Sequence, residues 1–340
     1  MQVSSASKVP SRDKQRKNSI MEKEFKQKKI IYIIGLMIVA FSALYLTLGV
    51  NINHLDYAMS QRVPRLMAIV LTGGCIAFSS MIFQTITNNN ILTPSVLGLD
   101  SLYVLVQTMI VFILGVESKF ITSKNYNFVL CVAVMVIASF VLYKKLFEKS
   151  QNNIFFLLLV GMIFGTLFKS ISTFMQVIID PNEYATLQNN LHASFTNVNT
   201  DIILIAVIML IAIIPFIYDD LKYLDILGLG KDHAINLGVD YDKIVKKMIV
   251  VVSILVSIST ALVGPITFLG LLVVNITRKL LSTYKHSYLI VASSLISVLT
   301  LVFGQLLVER VFSFSTTLSV IINFVGGVYF IYLLLKESRM

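Results

Sequence analysis

The chain has 340 residues, of which 56% are hydrophobic and only 14% are charged, and its mean hydropathy is +0.82. Because soluble domains carry about a quarter charged residues, this composition excludes one soluble core and indicates an integral membrane protein. The net charge is +10, yet no basic domain is interleaved with aromatic residues, so we predict no nucleic-acid partner. The two cysteines, Cys75 and Cys131, lie inside apolar runs and are expected to be reduced packing residues.

Residues 1–29 are polar and basic, and we predict that they form a disordered cytoplasmic tail. Residues 30–336 are predicted to form one transmembrane domain. Backbone groups in lipid must be satisfied within their own segment, so the apolar runs should be helices. The predicted fold class is therefore an all-α integral membrane protein with ten transmembrane helices. The predicted spans are 30–50, 64–86, 95–115, 127–146, 154–179, 201–218, 244–263, 267–282, 287–307 and 316–335.

The distribution of Lys and Arg tests the number of spans. With ten spans and both termini in the cytoplasm, 22 of the 28 Lys and Arg residues lie in cytoplasmic segments, five lie in outer loops, and Lys169 lies within a span. This asymmetry is the positive-inside pattern, and an odd number of spans would break it. We therefore predict that both termini are cytoplasmic.

The second predicted span begins with the stretch Gln61-Arg-Val-Pro-Arg65. Arg62 and Arg65 are three residues apart and therefore share one helical face at the membrane boundary, and Pro64 suits the first turn of a helix. The simpler interpretation is interfacial anchoring of the two arginines. The scarcity of other positive charges in the outer segments argues for a specific role instead.

The longest predicted cytoplasmic loop, 219–243, contains Leu227-Gly-Leu-Gly230-Lys-Asp-His-Ala234-Ile-Asn-Leu237-Gly238-Val239. Its glycines frame a short amphipathic helix, although a solvated turn is the alternative. A nucleotide-binding P-loop is excluded, because Asp225 stands where the motif needs Gly and Asp232 where it needs Ser or Thr. Further along, Gly264-Pro265-Ile-Thr-Phe268-Leu-Gly270-Leu predicts a tight turn between the seventh and eighth spans.

Taken together and in this order, the three motifs resemble the FecCD-like permeases of iron-siderophore and cobalamin ABC transporters over about residues 30–336. Three features depart from that family's pattern: Val274-Asn275 replaces a usual Pro-His pair, Val311-Phe312-Ser313 replaces a usual Pro, and the basic tail is long. The resemblance implies a non-catalytic permease without a cofactor or a metal site, in a bacterial cytoplasmic membrane. Its implied partners are a second permease subunit, a cytoplasmic ATPase dimer and an extracytoplasmic siderophore-binding protein or lipoprotein.

The resemblance also implies roles for particular residues. Arg62, Arg65 and Arg310 are expected to dock the binding protein, since they match the family's acid–arginine pairing. The 227–239 segment is expected to couple the ATPase to the spans through Leu227, Gly228, Gly230, Ala234, Leu237 and Gly238. Residues 180–200 form the longest predicted outer loop, and long loops are often functional. A short helix there is therefore expected to gate the outer pore through Pro181, Glu183, Leu187 and Leu191, with a passive connector as the alternative. The translocation pathway is expected to include Lys169, Ser172 and Gln176.

Lys169 is the only basic residue more than five positions from either end of a predicted span. At about 1.5 Å per residue it lies about 15 Å below the outer end, near the middle of the bilayer. A cation there should face the bundle interior and meet either water or an acid. Asp100 lies at a different depth, so we favour a water-lined pathway, with a buried structural pair as the alternative.

Other functions remain open at this point. Import of cobalamin or haem by the same family is one alternative to a ferric siderophore. A membrane-embedded prenyl transferase is another, because Asp219, Asp220 and Asp225 faintly resemble a metal-diphosphate site, but such a site needs a second Asp-rich motif. A secondary transporter or channel would need more mid-membrane ionisable groups than Asp100 and Lys169.

Overall fold

The computed structural model describes residues 12–50, 55–149, 154–191, 194–195, 198 and 200–337, and all regular structure in these ranges is helical. Each of the ten predicted spans contains a helix. These helices are α1 Arg12–Thr47, α2 Leu55–Ile86, α3 Leu99–Leu114, α5 Lys124–Lys149, α6 Ile154–Ile178, α8 Thr200–Ile217, α11 Tyr241–Val263, α12 Leu269–Leu280, α13 His286–Arg310 and α14 Leu318–Glu337. The short connecting helices are α4 Lys119–Thr122, α7 Pro181–Leu191, α9 Leu224–Leu227 and α10 Lys231–Asn236.

Two of the ten helices are shorter than expected. Within the described residues, eight helical segments are long and apolar enough to cross a membrane. The remaining two are α3, with 16 residues, and α12, with 12 residues. At about 1.5 Å per residue they span about 24 Å and about 18 Å, less than a hydrocarbon core of about 30 Å. Helix α3 covers Leu99–Leu114 of the predicted span 95–115, and α12 covers Leu269–Leu280 of the predicted span 267–282.

The amino-terminal region differs from the predicted disordered tail. Helix α1 begins at Arg12, so most of the region 1–29 is helical, while residues 1–11 lie outside the described part of the chain. Lys, Glu and Gln are good helix formers, which explains how a polar sequence can continue the apolar helix. The Lys285 ammonium donates to Glu24 at 2.7 Å, and this hydrogen bond raises the pKa of Lys285.

Helices α2, α11 and α13 form the centre of the bundle. Their most apolar windows are 67%, 72% and 61% buried, against 28% or less for the other five candidate spans. Two buried hydroxyls of α11 bond within their own helix: Ser253 donates to Ile249 O at 2.9 Å and Ser257 to Ser253 O at 2.7 Å. These two side chains therefore need no partner from lipid.

Helices α3 and α6 approach each other at glycines. Gly98 precedes α3 with φ +78°, and a Cβ atom there would lie 2.9 Å from Gly165 Cα. A Cβ atom on Gly161 would lie 3.1 Å from Leu97 Cα. Small residues let helix backbones approach closely in lipid, so these glycines fix the start of α3 against α6.

The two short helices begin next to each other inside the bundle. Thr267, just before α12, donates from Oγ1 to Asp100 Oδ2 in the first turn of α3 at 3.1 Å. An acidic side chain in a first turn is stabilised by the helix dipole. The partner of Asp100 is therefore the hydroxyl of Thr267. Among the described residues, Asp100 and Lys169 form no ion pair.

Candidate functional site

Two ends of the bundle carry the residues of interest. One end, called the α10 end, contains the last turns of α2 and α12 and the first turns of α11 and α13. Tyr241 Oη of α11 donates to Ile86 O at 3.2 Å, Arg278 of α12 contacts Met81, and Thr85 of α2 contacts His286 of α13. The opposite end, called the α7 end, contains the last turn of α1, the first turns of α2 and the last turn of α13. The arginines predicted to dock the binding protein lie at the α7 end, and the segment predicted to couple the ATPase lies at the α10 end.

At the α7 end, Arg62 caps the carboxyl end of α1. Its Nη1 donates to the carbonyl oxygens of Tyr45 at 2.7 Å, Leu46 at 3.2 Å and Leu48 at 3.0 Å. Arg310 also donates to Leu48 O. The last carbonyls of a helix have no partner within it, so both arginines have a structural task that sequence reasoning missed.

Arg65 lies beside a second polar group at the same end. Tyr45 Oη and Gln305 Nε2 each donate to Glu309 Oε1 at 3.1 Å. Arg65 is half-buried, and its Nε makes no hydrogen bond with the described protein. Glu309 was not predicted as a site residue, although an acid at the end of a span adjoining Arg310 is a signal that the sequence contains.

At the α10 end, the 227–239 segment contains the predicted short helix, α10. Gly230 precedes it with φ +97° and Gly238 follows it with φ +79°, so both glycines adopt the positive φ that glycine tolerates best. Leu227 and Ala234 are 1% and 0% exposed and pack into the core with Leu224 and Tyr241. The helix is therefore held against the spans by one face.

The structure separates two residues that were predicted to pack together. Ala234 faces the core, but Leu237 is 61% exposed. Leu237 follows the last residue of α10, Asn236, so its side chain no longer lies on the face that Ala234 occupies. Leu229 and Ile235 are exposed as well, so the segment presents three apolar side chains that are not covered by the spans.

Helix α9, which leads into the 227–239 segment, is tied to the central helices by His286. Its backbone N–H donates to Asp225 Oδ1 at 2.7 Å, and its ring Nδ1 lies 2.7 Å from the same oxygen. Ring Nε2 lies 2.8 Å from Thr85 Oγ1, which also donates to Met81 O at 2.8 Å. This chain of contacts joins α9 to α13 and α2.

The predicted gate helix is present as α7, which begins at Pro181 as expected. Leu187 is fully buried and packs with Val111 of α3 and Ile179, while Pro181 is exposed and Glu183 and Leu191 are half-buried. Beneath α7 lies a polar cavity of about 110 Å³ between α3, α5, α8 and α11. Its lining includes Tyr103, Gln107, Lys124, Asn127, Asn189 and Asn190.

Helix α6 carries the three predicted pathway residues in different surroundings. Ser172 is buried and donates to Phe168 O at 2.8 Å, and Gln176 Nε2 donates to Thr108 Oγ1 of α3 at 3.0 Å. Lys169, in contrast, is exposed. The expectation that Lys169 faces the interior is therefore wrong for this single chain, because the Lys169 side chain is exposed whereas that of Ser172 is buried.

The comparisons with known proteins decide the family. The model of the FecCD transport family matches residues 29–336. The chain belongs to the FecCD transport family. It is 56% identical to the petrobactin import system permease protein YclO of Bacillus subtilis (strain 168), over 92% of this chain and 98% of that protein. It is 37% identical to the petrobactin import system permease protein FatC of Bacillus anthracis, over 83% and 80% of the two chains.

A solved structure, described as an inward-facing conformation of an ABC transporter of the metal-chelate type, shares the fold with a TM-score of 0.77. It is 20% identical and covers 91% of this chain and 99% of its own. As a member of the FecCD transport family, the chain is a transport protein without catalytic chemistry of its own. Together with its apolar helices, this makes it a multi-pass protein of the cytoplasmic membrane.

Proposed function

We propose that this chain is the membrane-spanning permease subunit of an ABC importer that carries a ferric siderophore inward, with petrobactin as the siderophore. The observation that carries the proposal is 56% identity over 98% of a petrobactin import permease. A vitamin B12 import permease of Vibrio parahaemolyticus is only 26% identical, so import of cobalamin, like import of haem, is less well supported.

The proposed topology has ten membrane-inserted helices with both termini in the cytoplasm. The α10 end then faces the cytoplasm, which agrees with the concentration of Lys and Arg in the segments around it. Helix α12 enters the bundle from that side only partway, and α3 runs from the middle of the bundle to the α7 end, where Val111 packs against Leu187 of α7. Irregular backbone at membrane depth is tolerated where protein buries it, and the start of each short helix contacts the other through Thr267 and Asp100.

We further propose that the 227–239 segment contacts a cytoplasmic ATPase dimer through Leu229, Ile235 and Leu237. These three apolar side chains are 57%, 49% and 61% exposed although they adjoin a packed helix. Exposed apolar patches next to polar residues are typical of protein interfaces. The buried residues Leu227 and Ala234 would transmit the push, since they connect the segment to the spans.

At the opposite end, the proposal places the docking of an extracytoplasmic binding protein at Arg62, Arg65 and Arg310. Arg65 supports it most directly, because its side chain is partly exposed at the α7 end and the bonds that cap α1 come from Arg62 and Arg310 instead. A guanidinium fork suits a carboxylate of the binding protein. Arg62 and Arg310 serve docking indirectly, by holding the end of α1 in place.

The proposed pore lies between two permease subunits, either two copies of this chain or this chain and a homologous one. The side of α6 that carries Lys169 is exposed in the single chain, which supports a position facing the pore. A cation within the membrane is stabilised by water or by an anionic ligand. An anionic ferric chelate passing through the pore would be such a ligand. Helix α7 would close the pore at its outer mouth.

The prenyl transferase alternative loses its support in the contacts of two of its three aspartates, Asp220 and Asp225. Asp220 pairs with Lys247 of α11, and Asp225 bonds with His286 of α13. Metal-diphosphate chemistry needs carboxylates that converge on one Mg²⁺ ion, whereas these two face different helices.

The test is uptake by a bacterial strain that lacks its own petrobactin permease and expresses this chain with its partner subunits. Uptake of radiolabelled ferric petrobactin should be restored, and uptake of radiolabelled cobalamin should stay at the level of the empty vector. A matched chain with Leu237→Asp should give no uptake in the presence of normal membrane levels. Restored cobalamin uptake without petrobactin uptake would overturn the proposed cargo.

A further inference from the structure

The α10 end contains a cavity that none of the roles above uses. Its volume is about 160 Å³, and it lies between the ends of α2 and α12, the start of α13 and the turn before α10. A single water needs roughly 10–15 Å³ by the same measure, so the cavity has room for a small polyatomic ion. Its lining residues are Gln84, Thr85, Asn88, Asn90, Asp225, Gly228, Leu229, Arg278, Tyr284 and His286.

The most buried side chain of the cavity wall has no partner. Gln84 is 1% exposed, and neither its Oε1 nor its Nε2 makes a hydrogen bond with the described protein. A buried amide without hydrogen bonds costs about 1–3 kcal/mol per group. Gln84 therefore sits in a wall where a polar ligand would satisfy it.

Arg278 stands in the same wall with its charge uncompensated. Its Nε is buried without a hydrogen bond, and its Nη2 contacts only the soft sulfur of Met81, at 3.6 Å. Among the described residues, no carboxylate lies within ion-pair distance of Arg278. Asp225, the acid of the cavity, already accepts from the backbone and faces the ring of His286.

We propose that this cavity binds an oxyanion of the phosphate class, held by the Arg278 guanidinium and the Gln84 carboxamide. Arginine matches phosphate oxygens with two parallel N–H donors, and a carboxamide adds two more. The ligand is either free inorganic phosphate or the phosphate of an anionic lipid headgroup, since both present the same oxygens. The proposal depends neither on the cargo nor on the partners proposed above.

An occupied site would brace the coupling segment. A Cβ atom on Gly228 would lie 3.4 Å from His286 Cε1, and one on Gly230 would lie 3.8 Å from Asn88 Nδ2. The turn before α10 thus lies directly against the cavity wall. An anion bridging Arg278 and Gln84 would tie α12 to α2 beneath that turn.

The experiment uses the assembled transporter in lipid nanodiscs. In zwitterionic lipid, equilibrium dialysis measures the binding of radiolabelled orthophosphate. In nanodiscs that contain phosphatidylglycerol, native mass spectrometry counts the anionic lipids that stay bound after delipidation. The variant is Arg278→Gln. The matched control is Lys279→Gln, which removes a positive charge one residue away that bonds outward to Tyr329.

Arg278→Gln should weaken one ligand per chain by about tenfold or more, because it removes a charge-assisted hydrogen-bond pair. Lys279→Gln should leave that ligand unchanged. Loss in the orthophosphate arm identifies free phosphate, and loss in the lipid arm identifies a headgroup; either supports the site. If neither arm distinguishes Arg278→Gln from Lys279→Gln, the cavity holds water alone and the proposal is wrong.

Gln84→Leu gives an independent readout that keeps the charge of Arg278 in place. It should weaken the same ligand about three- to tenfold, the effect of one neutral hydrogen bond or somewhat more. If Arg278→Gln fails to assemble, equal binding by Gln84→Leu and the parent chain overturns the proposal on its own.

Discussion

His286 and Asp225 are joined twice: the backbone N–H and the ring Nδ1 of His286 both lie 2.7 Å from one carboxylate oxygen of Asp225. Asp225 thereby satisfies the first backbone amide of α13, which has no partner within its helix. We expect Asp225→Ala to lower the stability of the chain by about 1–3 kcal/mol, because this buried donor loses its acceptor.

Thermal unfolding with a thiol-reactive dye measures this effect, since Cys75 and Cys131 are buried and free until the chain unfolds. Asp219→Ala is the matched control: Asp219 is exposed in the adjoining turn, and such changes stay within about 0.5 kcal/mol. Equal unfolding temperatures for the two variants would contradict the structural role of Asp225.

Gly98 should tolerate no side chain. Its φ of +78° and the 2.9 Å separation of a Cβ atom from Gly165 Cα both oppose substitution. Gly98→Ala should therefore cost at least about 2 kcal/mol and reduce the amount of folded protein in membranes. Gly74→Ala, at a helical glycine with no atom within 4 Å of an added Cβ, should leave that amount unchanged. Fluorescence-detected gel filtration compares them.

The coupling segment offers two substitutions with opposite expected effects on folding. Ala234→Arg should release α10 from the spans, because Ala234 is 0% exposed and a buried charge without a partner is costly. Leu237→Asp should leave the chain folded and weaken its association with the ATPase subunits. The unfolding temperature measures the effect on folding, and co-purification measures the association with the ATPase subunits. A folded Leu237→Asp chain that retains its ATPase would refute the proposed contact.

Arg62 should contribute to stability as well as to docking. Arg62→Ala removes the donor to three carbonyl oxygens at the end of α1 and should cost about 1–3 kcal/mol. Lys119→Ala removes an exposed charge and should change the free energy of unfolding by almost nothing. A charge-reversal test of docking therefore requires an unfolding measurement beside the binding measurement, and an Arg62→Ala chain as stable as Lys119→Ala would disprove the cap.

Lys169→Met should fold and assemble normally, because the Lys169 side chain is exposed and Met retains its length. Uptake of an anionic ferric chelate should fall, since the pathway loses its positive charge. Lys119→Met is the control for loss of an outward positive charge. Undiminished uptake by Lys169→Met, with normal membrane levels, would exclude Lys169 from the pathway.

Hydropathy and charge predicted the helices but not where two of them begin. The apolar runs at 95–115 and 267–282 look like complete spans because hydropathy measures only the polarity of the side chains. It does not show at which residue the backbone becomes helical. In the structure, a 3-10 turn at Pro94–Leu97 and the left-handed Gly98 delay the start of α3. The turn after Gly264 similarly delays α12 to Leu269. Both delays depend on contacts between distant segments, such as Thr267 with Asp100.

The site residues show the same division between local and distant information. The glycine-framed helix at Gly230 and the start of α7 at Pro181 follow from local backbone preferences, and both were predicted. The capping of α1 by Arg62 and Arg310 joins residues that are up to 262 positions apart. The opposite orientations of Ala234 and Leu237 arise because α10 ends between them, so helical spacing no longer relates the two side chains.

Helix α1 has 36 residues, which at about 1.5 Å per residue makes it about 54 Å long, far more than a hydrocarbon core of about 30 Å. The ion pair between Glu24 and Lys285 fixes its projecting part to the start of α13. An exposed position on that part, such as Met21, is therefore a sound attachment point for a spin label. With both native thiols buried, a cysteine introduced there would be labelled selectively, and in a transporter built from two copies of this chain the distance between the two labels would report movement of α1.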